Sequence, residues 1–142
     1  MDIVHGTAVS IDGAGVLFRG LPGAGKSDLA LRFVDSGAML IADDRVVVAR
    51  SDGGVTAAAP ETIAGRLEVR GFGIVTLPHA AATPLRLVVD LVSDRLVERL
   101  PKPAETMLLD VAVPLLELAP FEASTPAKIR LALRLSSQEI ER

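Results

Sequence analysis

Eight consecutive residues, Gly20-Leu21-Pro22-Gly23-Ala24-Gly25-Lys26-Ser27, satisfy the pattern G-x-x-x-x-G-K-[ST]. The three glycines let the backbone curl until successive N–H groups point inward at phosphate oxygens. Lys26 adds a cation at the β- and γ-phosphates, and the Ser27 hydroxyl takes a position on Mg²⁺. Such a loop needs a strand leading in and a helix leading out. Residues 16–18 (Val-Leu-Phe) read as the strand and residues 27–35 as the helix, whose N-terminus then faces the anion.

A second group able to do chemistry is Asp43-Asp44, which closes the apolar run Met39-Leu40-Ile41-Ala42. That run is most simply a buried strand parallel to the one entering the loop. The carboxyl ends of parallel strands face the ligand crevice of an α/β sheet, so both carboxylates come near whatever the loop holds. One can interact with Mg²⁺, directly or through water, while the other accepts a proton from an incoming hydroxyl. Spacing does not separate the two roles.

The surrounding elements follow from periodicity. Residues 7–11, the turn signal Asp12-Gly13-Ala14-Gly15 and residues 16–18 predict a β-hairpin entering the phosphate loop. An ordinary mononucleotide-binding unit has no such hairpin. In the helix after the loop, Leu29, Ala30, Phe33 and Val34 share a face, with Gly37 placed as its C-terminal cap. Val46-Val47-Val48, the turn Ser51-Asp52-Gly53-Gly54 and residues 55–58 predict another hairpin. Residues 67–75 (Leu-Glu-Val-Arg-Gly-Phe-Gly-Ile-Val) put Glu68 and Arg70 on one strand face and Leu67 and Val69 on the other, with Gly71 and Gly73 permitting a bend. Residues 85–92 read as a strand, followed by Asp94-Arg95 and a loop at residues 101–103. Residues 107–118 read as a strand interrupted at Pro114. Ser124-Thr125-Pro126 starts a helix carrying Ile129, Leu131, Leu133 and Leu135.

Composition sets the boundaries. The 142 residues are 49% hydrophobic with a mean hydropathy of +0.41, enough for one core, and the expectation is a single α/β domain over residues 1–142. Cysteine is absent, so disulfides and thiolate metal sites are excluded. A net charge of −3, with no Trp or Tyr, argues against a nucleic-acid partner. The start Met1-Asp2-Ile3-Val4-His5 lacks the basic and long apolar regions of a secretory signal. The most apolar long segment, residues 107–119, contains Asp110, Pro114 and Glu117 and is too short to span a bilayer. No membrane association is expected, and the cytoplasm is the expected location.

Taken in order, His5-Gly6, the phosphate loop, Leu40-Ile41-Ala42-Asp43-Asp44 and Leu67-Glu68-Val69-Arg70-Gly71-Phe72-Gly73-Ile74 resemble the catalytic domain of the HPr kinase/phosphorylase family, in its short single-domain form. The last stretch is similar to the family signature L-E-I-R-G-x-G-I. The resemblance implies a P-loop-containing mixed sheet with flanking helices, related to phosphoenolpyruvate carboxykinases, which agrees with the hairpin ahead of the loop. It further implies a cytoplasmic, ATP-dependent serine kinase acting on an HPr-type phosphocarrier of the sugar phosphotransferase system. By similarity, Gly20 to Ser27 bind ATP, Ser27 and Glu68 serve Mg²⁺, and Asp44, rather than Asp43, is the base. His5 lies near the phosphate site, Arg70 completes the site beside Glu68, and Arg95 in Ser93-Asp94-Arg95-Leu96 stabilises charge on the transferred group. The long relatives are hexameric, so a homo-oligomer is implied as well.

The chain departs from the family at two points. Pro22 stands where the family usually has Ser. Pro120-Phe121-Glu122-Ala123-Ser124-Thr125-Pro126 stands where a Gly-Arg-Asn-like segment tied to phosphorolysis of the phosphoserine is expected, which speaks against the reverse reaction. Two other activities share the same motifs: a small-molecule kinase, and a nucleotide-sensing regulatory module without phosphoryl transfer.

Overall fold

The computed structural model describes residues 1–142. Its elements are β1 (Asp2–His5), β2 (Thr7–Ile11), β3 (Ala14–Arg19), α1 (Lys26–Asp35), β4 (Met39–Ala42), β5 (Arg45–Ser51), β6 (Gly54–Ala58), β7 (Arg66–Val69), β8 (Gly73–Thr76), β9 (Thr83–Leu91), β10 (Ala104–Leu108), β11 (Val111–Leu118) and α2 (Thr125–Arg134). Nine strands make one mixed sheet in the order β1-β5-β6-β9-β3-β2-β4, with β10 joined through β11 to β9. The pair β7–β8 forms a separate two-stranded ribbon. No helix is long and apolar enough to cross a membrane.

Strand β9 is the hub. It runs parallel to β3 and, over Val88 to Leu91, parallel to β11, while Thr83 and Pro84 at its start pair antiparallel with β6. Residues along β9 are buried on both faces, and its alternation sorts them: Leu87, Val89 and Leu91 face the core shared with the helices, Val88 the opposite one. Leu85 breaks that parity by facing with Val88. The cause is a register shift in which Gly15 pairs with Leu85 but Val16 with Leu87, leaving Arg86 as an extra residue that flips the faces. Gly15 is required there, since a Cβ would lie 2.8 Å from the Pro84 carbonyl oxygen.

The hairpin ahead of the phosphate loop forms as expected, turning at Asp12 (φ 50°) and Gly13 (φ 84°), the positive angles that match strand twist in a two-residue turn. The expected turn residues Ala14 and Gly15 belong instead to β3. The hairpin also changes the neighbour of β4. That strand points the same way as β3, as expected, but β2 lies between them and pairs antiparallel with both. The parallel pairing expected for residues 39–42 is therefore made by β9 on the other side of β3.

Residues 107–118 differ more. The chain reverses at Leu109 (φ 50°) and Asp110 (φ 62°), joining β10 to β11, while Pro114 stays within β11 opposite Glu105. Pairing of β11 with β9 begins at Leu115, so the missing N–H of Pro114 removes no bond from that ladder. The ribbon β7–β8 likewise replaces the single bent strand expected over residues 67–75. Arg70 sits in its turn, closed by a hydrogen bond from the Phe72 amide to the Val69 carbonyl at 3.0 Å.

Both helices lie against the same core. Helix α1 buries Leu29, Ala30 and Phe33, and the Phe33 ring stacks on Phe18 with centroids 5.9 Å apart. Arg130 of α2 covers that ring, its guanidinium carbon 4.9 Å from the centroid. Helix α1 stops at Gly37 (φ 105°), where the Gly37 amide bonds to the Val34 carbonyl and the Ala38 amide to the Phe33 carbonyl, the double bond of a Schellman cap. Helix α2 begins behind Ser124, with Pro126 in its first turn, as expected.

Candidate phosphate-transfer site

Because β3, β4 and β9 share one direction, their C-terminal ends come to one edge of the sheet. The phosphate loop follows β3, Asp43-Asp44 follows β4, and the segment with Asp94-Arg95 follows β9.

Within the loop, the Ala24 amide bonds to the Leu21 carbonyl at 2.9 Å, making Leu21-Pro22-Gly23-Ala24 a β-turn with Gly23 at φ 79°. Proline second and glycine third are the residues such a turn favours, so Pro22 presets the loop. Lys26 Nζ donates to the carbonyls of Gly20 (2.7 Å) and Leu21 (3.1 Å), which folds the ammonium back onto the start of the loop. Gly25 caps α1 at φ 101°, and a Cβ there would lie 2.9 Å from both Phe121 Cζ and Pro120 Cβ. Gly25→Ala is therefore expected to cost about 1–3 kcal/mol in stability and at least about tenfold in nucleotide affinity. Thermal unfolding and an ATP titration measure the two effects.

The two neighbouring aspartates occupy different environments. Asp43 is buried, and its carboxylate accepts three bonds: from Thr7 Oγ1 (2.9 Å) and Ser27 Oγ (2.7 Å) at Oδ1, and from the Glu68 amide (3.1 Å) at Oδ2. One carboxylate thus ties β2, α1 and β7 to the end of β4. Asp44 is turned outward at φ 73° with its side chain 69% exposed. Its carbonyl accepts from His5 Nδ1 (2.8 Å) and the Gly6 amide (3.1 Å). Since a carbonyl only accepts, Nδ1 of His5 carries the proton. The same Nδ1 lies 3.6 Å from Asp44 Oδ1. His5 and Asp44 are thereby brought together, with the Asp44 carboxylate open to solvent.

Glu68 and Arg70 face the loop across a cavity of about 440 Å³, walled also by Gly23, Gly25, Lys26 and Ser27. A larger cavity of about 1060 Å³ lies on the other side of the loop, between Gly20–Ala24 and the ends of β9 and β11. Arg95 is the outlier among the expected site residues. Like His5, Asp43 and Asp44 it lines neither cavity, but unlike them it shares no side-chain hydrogen bond with another expected site residue, standing exposed in a single 3₁₀ turn between Asp94 and Leu96 of the larger cavity's wall.

Three features escaped the sequence reading. Thr7, the hydroxyl on Asp43, looked like an ordinary strand residue. Arg19 and Asp90 form a bidentate ion pair, Nε to Oδ1 at 2.7 Å and Nη2 to Oδ2 at 3.1 Å, in register on β3 and β9 just before the loop. Opposite charges ending two apolar runs were the available signal. The third is the strap Pro120-Phe121-Glu122 against the loop. Arg32 of α1 donates to the Pro120 and Glu122 carbonyls, and Lys128 pairs with Glu122 at 3.1 Å.

A family model described as the HPr Serine kinase C-terminal domain matches residues 1–129. The HPr kinase/phosphorylase of Geobacillus sp. (strain WCH70) is 44% identical over 95 residues, 64% of this chain and 30% of that protein. That of Lacticaseibacillus casei (strain BL23) is 41% identical over 123 residues, 78% of this chain and 39% of that protein. The chain thus spans well under half the length of these curated relatives. Among solved structures, the Hpr(Ser) kinase/phosphatase from Coxiella burnetii superposes with a TM-score of 0.83 at 22% identity, covering 94% of this chain and 95% of the other. The two share a fold.

Proposed function

We propose, since the chain belongs to the HPr serine kinase C-terminal domain family, that it transfers the γ-phosphoryl group of ATP to a serine hydroxyl of an HPr-type phosphocarrier. The observation that carries this reading is the pair of unlike aspartates. Asp43 is spent on joining the loop's Ser27 to the Glu68 strand, and Asp44 beside it keeps an open carboxylate.

Phosphoryl transfer asks little covalent chemistry of a protein and much alignment and charge neutralisation. Loop amides, the α1 N-terminus and Lys26 would hold the β- and γ-phosphates. Asp44 would accept the serine proton as the serine oxygen bonds to phosphorus and the bond to the β-phosphate oxygen breaks, releasing ADP. Its contact with His5 orients the backbone that carries it. Ser27 and Glu68 are hard oxygen donors beside the loop, a set that suits Mg²⁺, which takes few protein ligands and keeps phosphate oxygens and waters. Bound there, Mg²⁺ would supply neutralising charge at the phosphates. Arg70 faces the same cavity and would add positive charge. For Arg95 the same role requires its segment to close toward the loop.

The Pro120–Pro126 segment supports a reaction running mainly forward, since it replaces the segment tied to phosphorolysis. A cytoplasmic catalytic domain over residues 1–142, acting as part of a homo-oligomer, completes the reading. Its test is a comparison of acceptors. With ATP and Mg²⁺, an HPr-type protein should gain phosphoserine while small-molecule hydroxyl acceptors gain none, and added inorganic phosphate should reverse little of it. Faster phosphorylation of a small molecule would replace this reading by the small-molecule kinase.

A further inference from the structure

Phe121 is an exposed aromatic ring held rigidly beside the phosphate loop, and the site described above gives it no task. It is 67% exposed, although its ring edge touches Gly25 closely enough to exclude a Cβ there. Rigidity comes from both flanks. Pro120 and Glu122 are bonded through their carbonyls to Arg32, which is itself paired with Asp28 at 3.2 Å. Thr125 Oγ1 caps the Ala119 carbonyl at 2.5 Å, and Glu122 pairs with Lys128. An exposed phenylalanine gains nothing in water from being so constrained; a flat apolar partner would give that order a use.

Its position suggests which partner. Phe121 and Gly23 are the residues common to the walls of both cavities, so the ring stands where they meet over the loop. The smaller cavity offers Lys26, Arg70 and Ser27, its two carboxylates being Asp28, which is paired with Arg32, and Glu68, so its charges balance. The larger one offers apolar Leu21, Pro22, Leu91 and Leu96; its Arg19 and Asp90 pair with each other and its Glu122 with Lys128, which leaves the carboxylates of Asp94 and Glu117. A wall that is net acidic repels phosphates and accepts hydrogen bonds from hydroxyl and amino groups, whereas the charge-balanced wall with Lys26 beside the loop does not, so the two cavities sort a nucleotide by its parts.

We infer that the Phe121 ring is a stacking platform for the base of the nucleotide, with the nucleoside directed into the larger cavity while its phosphates occupy the loop. This rests on the reading of the loop as a nucleotide site, and it adds a residue that makes the site prefer a nucleoside triphosphate over a bare polyphosphate.

Tripolyphosphate carries the same phosphates without a base, and comparing it with ATP isolates the stack. In Phe121→Ala, ATP affinity should fall roughly tenfold, the size of one base–aromatic stack, while tripolyphosphate affinity stays within about twofold of the parent. The chain contains no tryptophan, so Phe121→Trp introduces a unique reporter. Its fluorescence should change on ATP binding and stay constant when tripolyphosphate binds, and its ATP affinity should equal or exceed the parent's. Equal losses for both ligands in Phe121→Ala, unchanged ATP affinity, or a weakened phosphocarrier KM alone would each overturn the assignment. If the parent chain binds neither ligand, the nucleotide reading falls and this inference falls with it.

Discussion

Asp44→Asn is expected to slow phosphoryl transfer to the acceptor serine by about 10²- to 10⁴-fold, the range supplied by a positioned general base. The substitution is nearly isosteric, and asparagine tolerates the left-handed backbone at φ 73°. The Asp44 carbonyl would still accept from His5 Nδ1 and the Gly6 amide, so the local fold should hold. The ability to take a proton is removed together with the carboxylate's charge, which is exposed and so well screened. ATP affinity should therefore change by less than about twofold, because no side-chain hydrogen bond joins Asp44 to residues 20–27. A variant with parental turnover would remove Asp44 from the mechanism, and one that lost ATP binding equally would make its role structural. Single-turnover transfer beside an ATP titration separates these outcomes.

The adjacent aspartate should behave quite differently. Asp43→Ala strips the acceptor from two hydroxyls and one amide at the junction of β2, α1 and β7. Leaving such groups unpaired in a buried setting is expected to cost about 2–4 kcal/mol of stability, together with most of the activity. Asp43→Asn divides the effect. With its oxygen at the Oδ1 position it still accepts from Thr7 and Ser27, while its amide opposes the Glu68 N–H. The asparagine variant should thus retain most of the stability of α1 packing but displace the Glu68 strand, lowering transfer more than ATP binding. Urea denaturation and transfer assays on both variants measure this. Equal stability of Asp43→Ala and the parent would contradict the role given to the carboxylate.

Much of this site was legible in the sequence because local rules wrote it. The phosphate loop, the helix leaving it, the hairpin before it and the cap at Gly37 each depend on residues a few positions apart, and all four formed where periodicity and turn chemistry put them. What depended on distant partners was hidden. No local signal says that β2 inserts between β3 and β4, since a short apolar run reads alike beside either neighbour. The reversal at Leu109-Asp110 lacks the glycine that marks the other tight turns, so Pro114 drew the break to itself. The unlike burial of Asp43 and Asp44 is likewise tertiary. Thr7 and the Glu68 amide, which lie 36 and 25 residues away along the chain, decide which carboxylate is occupied and which is open.

The family resemblance named the site residues together, whereas the structure divides them. Lys26, Ser27, Glu68 and Arg70 line one cavity at the loop, Asp43 is joined to it through Ser27, His5 and Asp44 form a pair beside Asp43, and Arg95 stands apart in its own 3₁₀ turn. The Pro22 departure fits the turn inside the loop, because proline occupies the turn position that prefers it. The departure at residues 120–126 instead changes the loop's surroundings, laying a pinned aromatic strap beside Gly25.

The most direct test of the central claim is the intact mass of an HPr-type phosphocarrier after incubation with this chain, ATP and Mg²⁺, followed by mapping of the modified residue. The account predicts one added phosphoryl group, on a serine, dependent on ATP and absent with Lys26→Ala. An unmodified phosphocarrier, with the chain shown in parallel to bind ATP, would contradict it and make the protein a nucleotide-binding regulator without transfer.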